Sequence, residues 1–168
     1  VNQGRGRMTG SVDIIIVNHN TRAELEACLA SLHAAMPACA SEVVVVDNAS
    51  TDGSVDLVER RWPSVSVIAL DRNIGFGAAN NVAMRRSRAS WVLLLNSDTI
   101  VPPGAIDTLH ERAVARGAVA AGPRLVDGEG RPELELLDLL DIREKSEDAL
   151  LHAPLLVLLR EGNWRWLC

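Results

Sequence analysis

Residues 91–98, WVLLLNSD, restrict the fold of this chain more than any other stretch. Trp91, Val92, Leu93, Leu94 and Leu95 are apolar without alternation, which suits an interior strand of a parallel sheet covered by helices on both faces. Asn96, Ser97 and Asp98 follow at the point where such a strand leaves the sheet, and Pro102-Pro103 stops it from continuing. Ligands of open α/β sheets gather outside the carboxyl ends of the strands. Asp98 therefore stands where a metal-binding acid is expected.

The same design recurs upstream. Residues 12–17 (VDIIIV) read as a first buried strand tipped by Asn18-His19-Asn20, and residues 43–46 as a second tipped by Asp47-Asn48. Residues 65–70 form a third, ending in Asp71-Arg72-Asn73. Helices fall between them. Thr21 and Glu24 have the spacing of a capping box before Leu25, Cys28, Leu29 and Leu32, and Ser54 is the expected N-cap of a helix that stops before Pro63. Gly75-Phe76-Gly77 opens a third helix running to Arg88, and a fourth over residues 104–116 leads to the short apolar run Val119-Ala120-Ala121. This alternation predicts an α/β, Rossmann-like, mostly parallel sheet flanked by helices, with four polar strand tips along one edge.

The chain has 168 residues, 48% of them hydrophobic, enough for one core and one domain. Its apolar runs fall short of the ~20 residues of a membrane-spanning helix. Residues 1–10 are basic and polar, unlike a secretory signal, and read as a flexible N-terminus; an intracellular location follows. Cys28, Cys39 and Cys168 lack metal-site spacing and read as free thiols. Residues 1–131 carry 13 Arg against 14 Asp and Glu, so no basic face offers itself to nucleic acid. Residues 132–168 hold 4 basic and 8 acidic residues and 12 Leu, so a different segment starts near Pro132.

Each polar tip has a bland reading beside a chemical one. Asp47 could accept hydrogen bonds from a nucleobase imide or a ribose hydroxyl, or simply form a turn; Asp52 reads as a helix cap. Residues 75–80, GFGAAN, superficially fit a dinucleotide fingerprint, but they follow the third strand rather than the first, which excludes that reading. A tight turn would explain the glycines but leaves Asn73, Asn80 and Asn81 unexplained. Asp98 suits Mg2+ or Mn2+, which one or two carboxylates hold while substrate phosphates and water complete the shell. Such an ion would neutralise a departing diphosphate.

Four stretches in order, residues 14–20 (IIIVNHN), 44–54 (VVVDNASTDGS), 73–81 (NIGFGAANN) and 94–99 (LLNSDT), resemble the GT-A-type glycosyltransferases of family two, particularly rhamnosyltransferase-like members. The resemblance covers residues 11–131. It implies a GT-A fold, a UDP- or dTDP-sugar as nucleotide-diphospho-sugar donor, a divalent ion, inversion at the anomeric carbon and a saccharide or lipid-linked acceptor. Cell-envelope polysaccharide biosynthesis in the cytoplasm is the matching setting, with peripheral association at the inner face of the membrane for a lipid-linked acceptor. Carried over, Asn18 and Asn20 lie near the nucleotide, Asp47 contacts the base, and Asn73, Gly75 and Asn80 line the donor pocket. Asn96-Ser97-Asp98 fills the Asp-x-Asp position, with Asp98 as metal ligand.

Family members continue into an acceptor-binding half with an acidic general base, and residues 132–168 resemble none of it. The acceptor half is thus expected to be incomplete, through truncation, frameshift or divergence. Asp148, in Glu147-Asp148, is the one stand-in for the base, against a solvated helix face. The leucines of the tail, with residues 155–159 and Trp164 and Trp166, suit helices over a sheet edge or an oligomer contact. A chain without its base would lose general-base assistance of ~10²–10⁴-fold. The alternative to an enzyme is a non-catalytic nucleotide-sugar-binding remnant or an interaction module.

Overall fold

The computed structural model describes residues 10–123 and the backbone of three further strands, Leu125–Val126, Pro132–Leu134 and Val157–Arg160. Val12–Asn18 (β1) is buried along its whole length, because apolar residues on both faces have helices to pack against. It is flanked by Ala40–Asp47 (β2) and Trp91–Asn96 (β4), and Ser66–Ala69 (β3) lies outside β2. These four strands are parallel. The sheet continues through Val157–Arg160 (β8) to Ala120–Ala121 (β5), in the order β3-β2-β1-β4-β8-β5. Leu125–Val126 (β6) and Pro132–Leu134 (β7) form a separate two-stranded sheet.

The two-residue period of β1 divides the core. Ile14 and Ile16 face a layer built from Arg22–Ala34 (α1), Ser54–Arg61 (α2) and Ala105–Ala115 (α4), represented by Leu25, Leu29, Val58 and Ile106. Ile15 and Val17 face Phe76–Met84 (α3) through Ala79, Ala83 and Met84. The doubly covered parallel sheet expected from the sequence is thus present. Among the described residues, no helix is long and apolar enough to cross a membrane.

Several local expectations are corrected. Thr21 precedes α1 but makes no capping bond with its side chain. Asp52 does that work instead: Oδ2 accepts from the Arg22 amide at 2.9 Å, while Oδ1 accepts from the Ser54 amide at 3.0 Å and the Ser54 hydroxyl at 2.5 Å. One carboxylate thereby serves the N-termini of two helices, as acceptor-only groups do well. Burial alone would raise the Asp52 pKa, but these hydrogen bonds outweigh it and hold the group below its ordinary value. Gly53, not Ser54, occupies the N-cap of α2, because the chain enters the helix at φ 80°. The third helix stops at Met84 rather than Arg88, and Ser87, just beyond it, donates to the buried Asp13 carboxylate at 2.7 Å. Residues 157–160 do not form a helix; they pair antiparallel with both β4 and β5.

Candidate functional site

The strand order reverses direction between β1 and β4, the position where open α/β sheets leave a crevice at their carboxyl edge. Asn18 and Asp47 end β1 and β2 as register partners. Asn18 Nδ2 donates to Asp47 Oδ1 at 2.9 Å and to Ser50 Oγ at 3.0 Å, and Asn18 Oδ1 accepts from Thr21 Oγ1 at 2.7 Å. Asp47 Oδ2 accepts from the Ser50 amide at 2.8 Å. Both residues are buried, with their polar atoms turned into this network. Asn20 stands beside it in the left-handed region, φ 55°, its Oδ1 accepting from the Thr51 amide at 2.8 Å. Asparagine tolerates that conformation better than most residues.

A second asparagine network shapes the entrance to α3. Asn48, also buried, donates through Nδ2 to Asn73 Oδ1 at 2.9 Å and accepts from the Ile74 amide at 2.9 Å. Asn73 Oδ1 accepts in addition from the Gly75 amide at 2.9 Å. Gly75 has φ 86° and ψ 158°, a combination essentially restricted to glycine. The turn is therefore specified by two asparagines and one glycine together.

These tips enclose an open cavity of about 390 Å³. Of the residues expected from sequence, Asn73, Gly75, Asn96 and Asp98 line it; His19, Thr21, Asn48, Phe76 and Ser97 complete much of the wall. Asn18, Asn20 and Asp47 are not among the lining residues: Asn18 and Asp47 are buried behind the wall, and Asn20 is exposed beside it. Asn80 is buried in α3, where Nδ2 donates to the Phe76 carbonyl at 3.1 Å and Oδ1 has no partner. Asp148 falls outside the described residues, as do Trp164, Trp166, Cys168 and residues 1–9. Asn48 was missed because Asp-Asn at a strand tip reads as ordinary turn chemistry, although its repetition at successive tips was the available signal. Phe76 is the only phenylalanine of the chain, and that rarity was its signal.

Asp98 is exposed at the rim and is the one carboxylate on the cavity wall among the described residues. No group of three or more His, Cys, Asp or Glu residues among the described residues could hold a metal alone. This donor set does not fit a structural zinc site but fits a hard divalent ion whose remaining ligands are phosphates and water. Beneath the tip, the Cys28 thiol points to the Asn96 carbonyl at 3.6 Å. Burial, reinforced by the charge of Asp98, pushes its pKa up to about 12, so it stays protonated.

Residues 13–156 match the family model described as Glycosyl transferase family 2. The chain belongs to glycosyl transferase family 2. The match runs beyond Arg131, the end of the stretch that the sequence resemblance covers. Among family 2 relatives, the succinoglycan biosynthesis protein ExoO of Rhizobium meliloti (strain 1021) is 39% identical over 118 residues, which is 70% of this chain and 32% of that protein. The N-acetylglucosaminyl-diphospho-decaprenol L-rhamnosyltransferase of Mycobacterium tuberculosis (strain ATCC 25618 / H37Rv) is 33% identical over 135 residues, 73% of this chain and 44% of the other. The chain thus spans less than half the length of these curated relatives.

Solved structures agree on the GT-A fold. The mannosyltransferase PcManGT from Pyrobaculum calidifontis, in complex with GDP-Man and Mn2+, matches with a TM-score of 0.51 and 30% identity, over 60% of this chain and 30% of that one. S. aureus TarS 1-349 matches with a TM-score of 0.63 over 89% of this chain and 47% of that one; at 22% identity it supports the fold alone.

Proposed function

We propose that the cavity at the β1/β4 edge binds a nucleotide-diphospho-sugar, UDP- or dTDP-linked, for inverting glycosyl transfer to a saccharide or lipid-linked acceptor. The observation that carries this reading is the convergence of Asn73, Gly75, Asn96 and Asp98 on one open cavity. In PcManGT the described complex contains GDP-Man and Mn2+, and the mycobacterial relative is named for a lipid-linked acceptor; both support the assignment. Asp98 would hold Mg2+ or Mn2+, which when bound neutralises the diphosphate as it leaves. Asn73 and Asn96 offer side-chain amides to the donor, while Asn18 and Asp47 keep the strand tips in place behind them. The acceptor hydroxyl forms the new bond to the anomeric carbon as the bond to the diphosphate oxygen breaks; the nucleoside diphosphate leaves, and the hydroxyl proton passes to water. The work belongs in the cytoplasm, at the inner membrane face for a lipid-linked acceptor.

One observation favours a second reading. Among the described residues no carboxylate besides Asp98 lines the cavity, so a unit that binds the donor without transferring it also fits. Calorimetry with UDP- and dTDP-sugars, with and without Mn2+, tests the donor site: Mn2+-dependent binding lost in Asp98→Ala is expected, and binding indifferent to Asp98 would refute it. Sugar release or transfer with a pool of acceptors separates the enzyme from the non-catalytic unit.

A further inference from the structure

The hydrogen bonds behind the cavity have a fixed direction. Asn18 turns its amide nitrogen toward Asp47 Oδ1 at 2.9 Å and Ser50 Oγ at 3.0 Å, so its carbonyl oxygen faces Thr21. A threonine hydroxyl has one proton, and Thr21 gives it to Asn18 Oδ1 at 2.7 Å. Ser97 Oγ lies 2.9 Å from Thr21 Oγ1. With the Thr21 proton already committed, Ser97 must be the donor in that contact. The only proton of Ser97 then points toward Thr21, while Ser97 stands on the cavity wall beside Asp98.

We propose that Thr21 is a positioning residue which, by holding the Ser97 proton, leaves Ser97 Oγ with lone pairs free for the divalent ion beside the Asp98 carboxylate. This rests on the donor-site reading above. Oxygen is the ligand type that hard cations prefer, and a hydroxyl whose proton is fixed elsewhere cannot turn it toward a positive charge. Thr21 is freed for this role because Asp52 supplies the acceptor at the start of α1.

The test is Mn2+ affinity in the presence of UDP, read from the free Mn2+ signal in electron paramagnetic resonance, for the full chain and its variants. Losing one such hydrogen bond corresponds to about a 2–10-fold change in affinity. Thr21→Val is expected to weaken Mn2+ binding by that factor, Thr21→Ser to restore it, and Thr21→Val to have no further effect once Ser97→Ala is present. Stability falls with Thr21→Val in either background, because Asn18 Oδ1 loses its donor, so affinity is the readout. Unchanged affinity in Thr21→Val, or an equal loss with and without the Ser97 hydroxyl, would overturn the proposal. If the unaltered chain still binds Mn2+ and UDP in an Asp98-dependent way, the donor site survives that result. Absence of such binding would overturn both.

Discussion

Asn18 and Asp47, 29 positions apart in the chain, meet at the ends of neighbouring parallel strands through a 2.9 Å hydrogen bond that water scarcely reaches, with both residues no more than 2% exposed. Asp47 also accepts from the Ser50 amide, so one carboxylate fixes the tip of β1 and the turn after β2. Asp47→Ala would take the acceptor from one hydrogen of the buried Asn18 amide and from the half-buried Ser50 amide, at a cost of about 3 kcal/mol. Urea unfolding checks this. A variant as stable as the parent, with only ligand binding impaired, would show that Asp47 serves the ligand rather than the scaffold.

Gly75 has room for a side chain, since nothing lies within 4 Å of a Cβ placed there, but its φ of 86° disfavours one. Gly75→Ala should therefore act through the backbone alone, with a strain of about 1–3 kcal/mol at the entrance to α3. Donor affinity should fall, because the Asn73 turn loses its shape. Gly77, with no neighbour within 4 Å and no positive φ, should accept alanine with little effect. Comparing the two by calorimetry and thermal melting separates backbone strain from crowding.

His110 is buried against the edge of Trp91, ring centroids 5.7 Å apart, and neither ring nitrogen has a partner. Burial lowers its pKa, against the raising influence of Asp107 and Glu111. The unfolded chain therefore takes up the proton first as pH falls. The stability associated with neutral His110 is complete above about pH 6.5 and is lost as pH drops through the lower, folded value. His110→Leu should flatten this part of the pH profile of urea unfolding, and an unaltered slope would contradict it.

Cys28 and Cys39 are buried free thiols, and burial raises both pKa values to about 12. Native protein at pH 8 should leave both unmodified by iodoacetamide, and urea should expose both, since the thiolate is the reactive form. Peptide mass spectrometry reads the result. Rapid native labelling of Cys28 would mean that the Asn96 tip opens readily.

The regular elements were legible wherever pattern and burial coincide. The strand at 91–96 announces itself because five apolar residues run straight into a polar tip, and its partner at 12–18 has four, residues 14–17, before its own tip. The hydrogen bonds of Thr21 were not legible: a capping box is a local pattern, whereas Ser97, one of its two side-chain partners, lies 76 positions away. Asp52 outcompeted it as an acceptor because a carboxylate can serve two helix ends together. Residues 155–159 form too short an apolar run for periodicity to separate strand from helix, and pairing of residues 157–160 with Trp91 through Leu94 decides it. At the site, residue type marked the surface residues Asn73 and Asp98. Hydrogen-bond geometry was needed to place Asn18 and Asp47 behind them.

The central claim is that separate strand tips form one donor and cation site. Paramagnetic broadening of backbone amide signals by Mn2+, with UDP present, tests it most directly. The account predicts the strongest broadening at Asn96, Ser97 and Asp98, with His19, Asn73 and Gly75 next, and none at Met36 or Trp62, which lie at a different cavity. Broadening centred away from Asp98, or unchanged in Asp98→Ala, would contradict it.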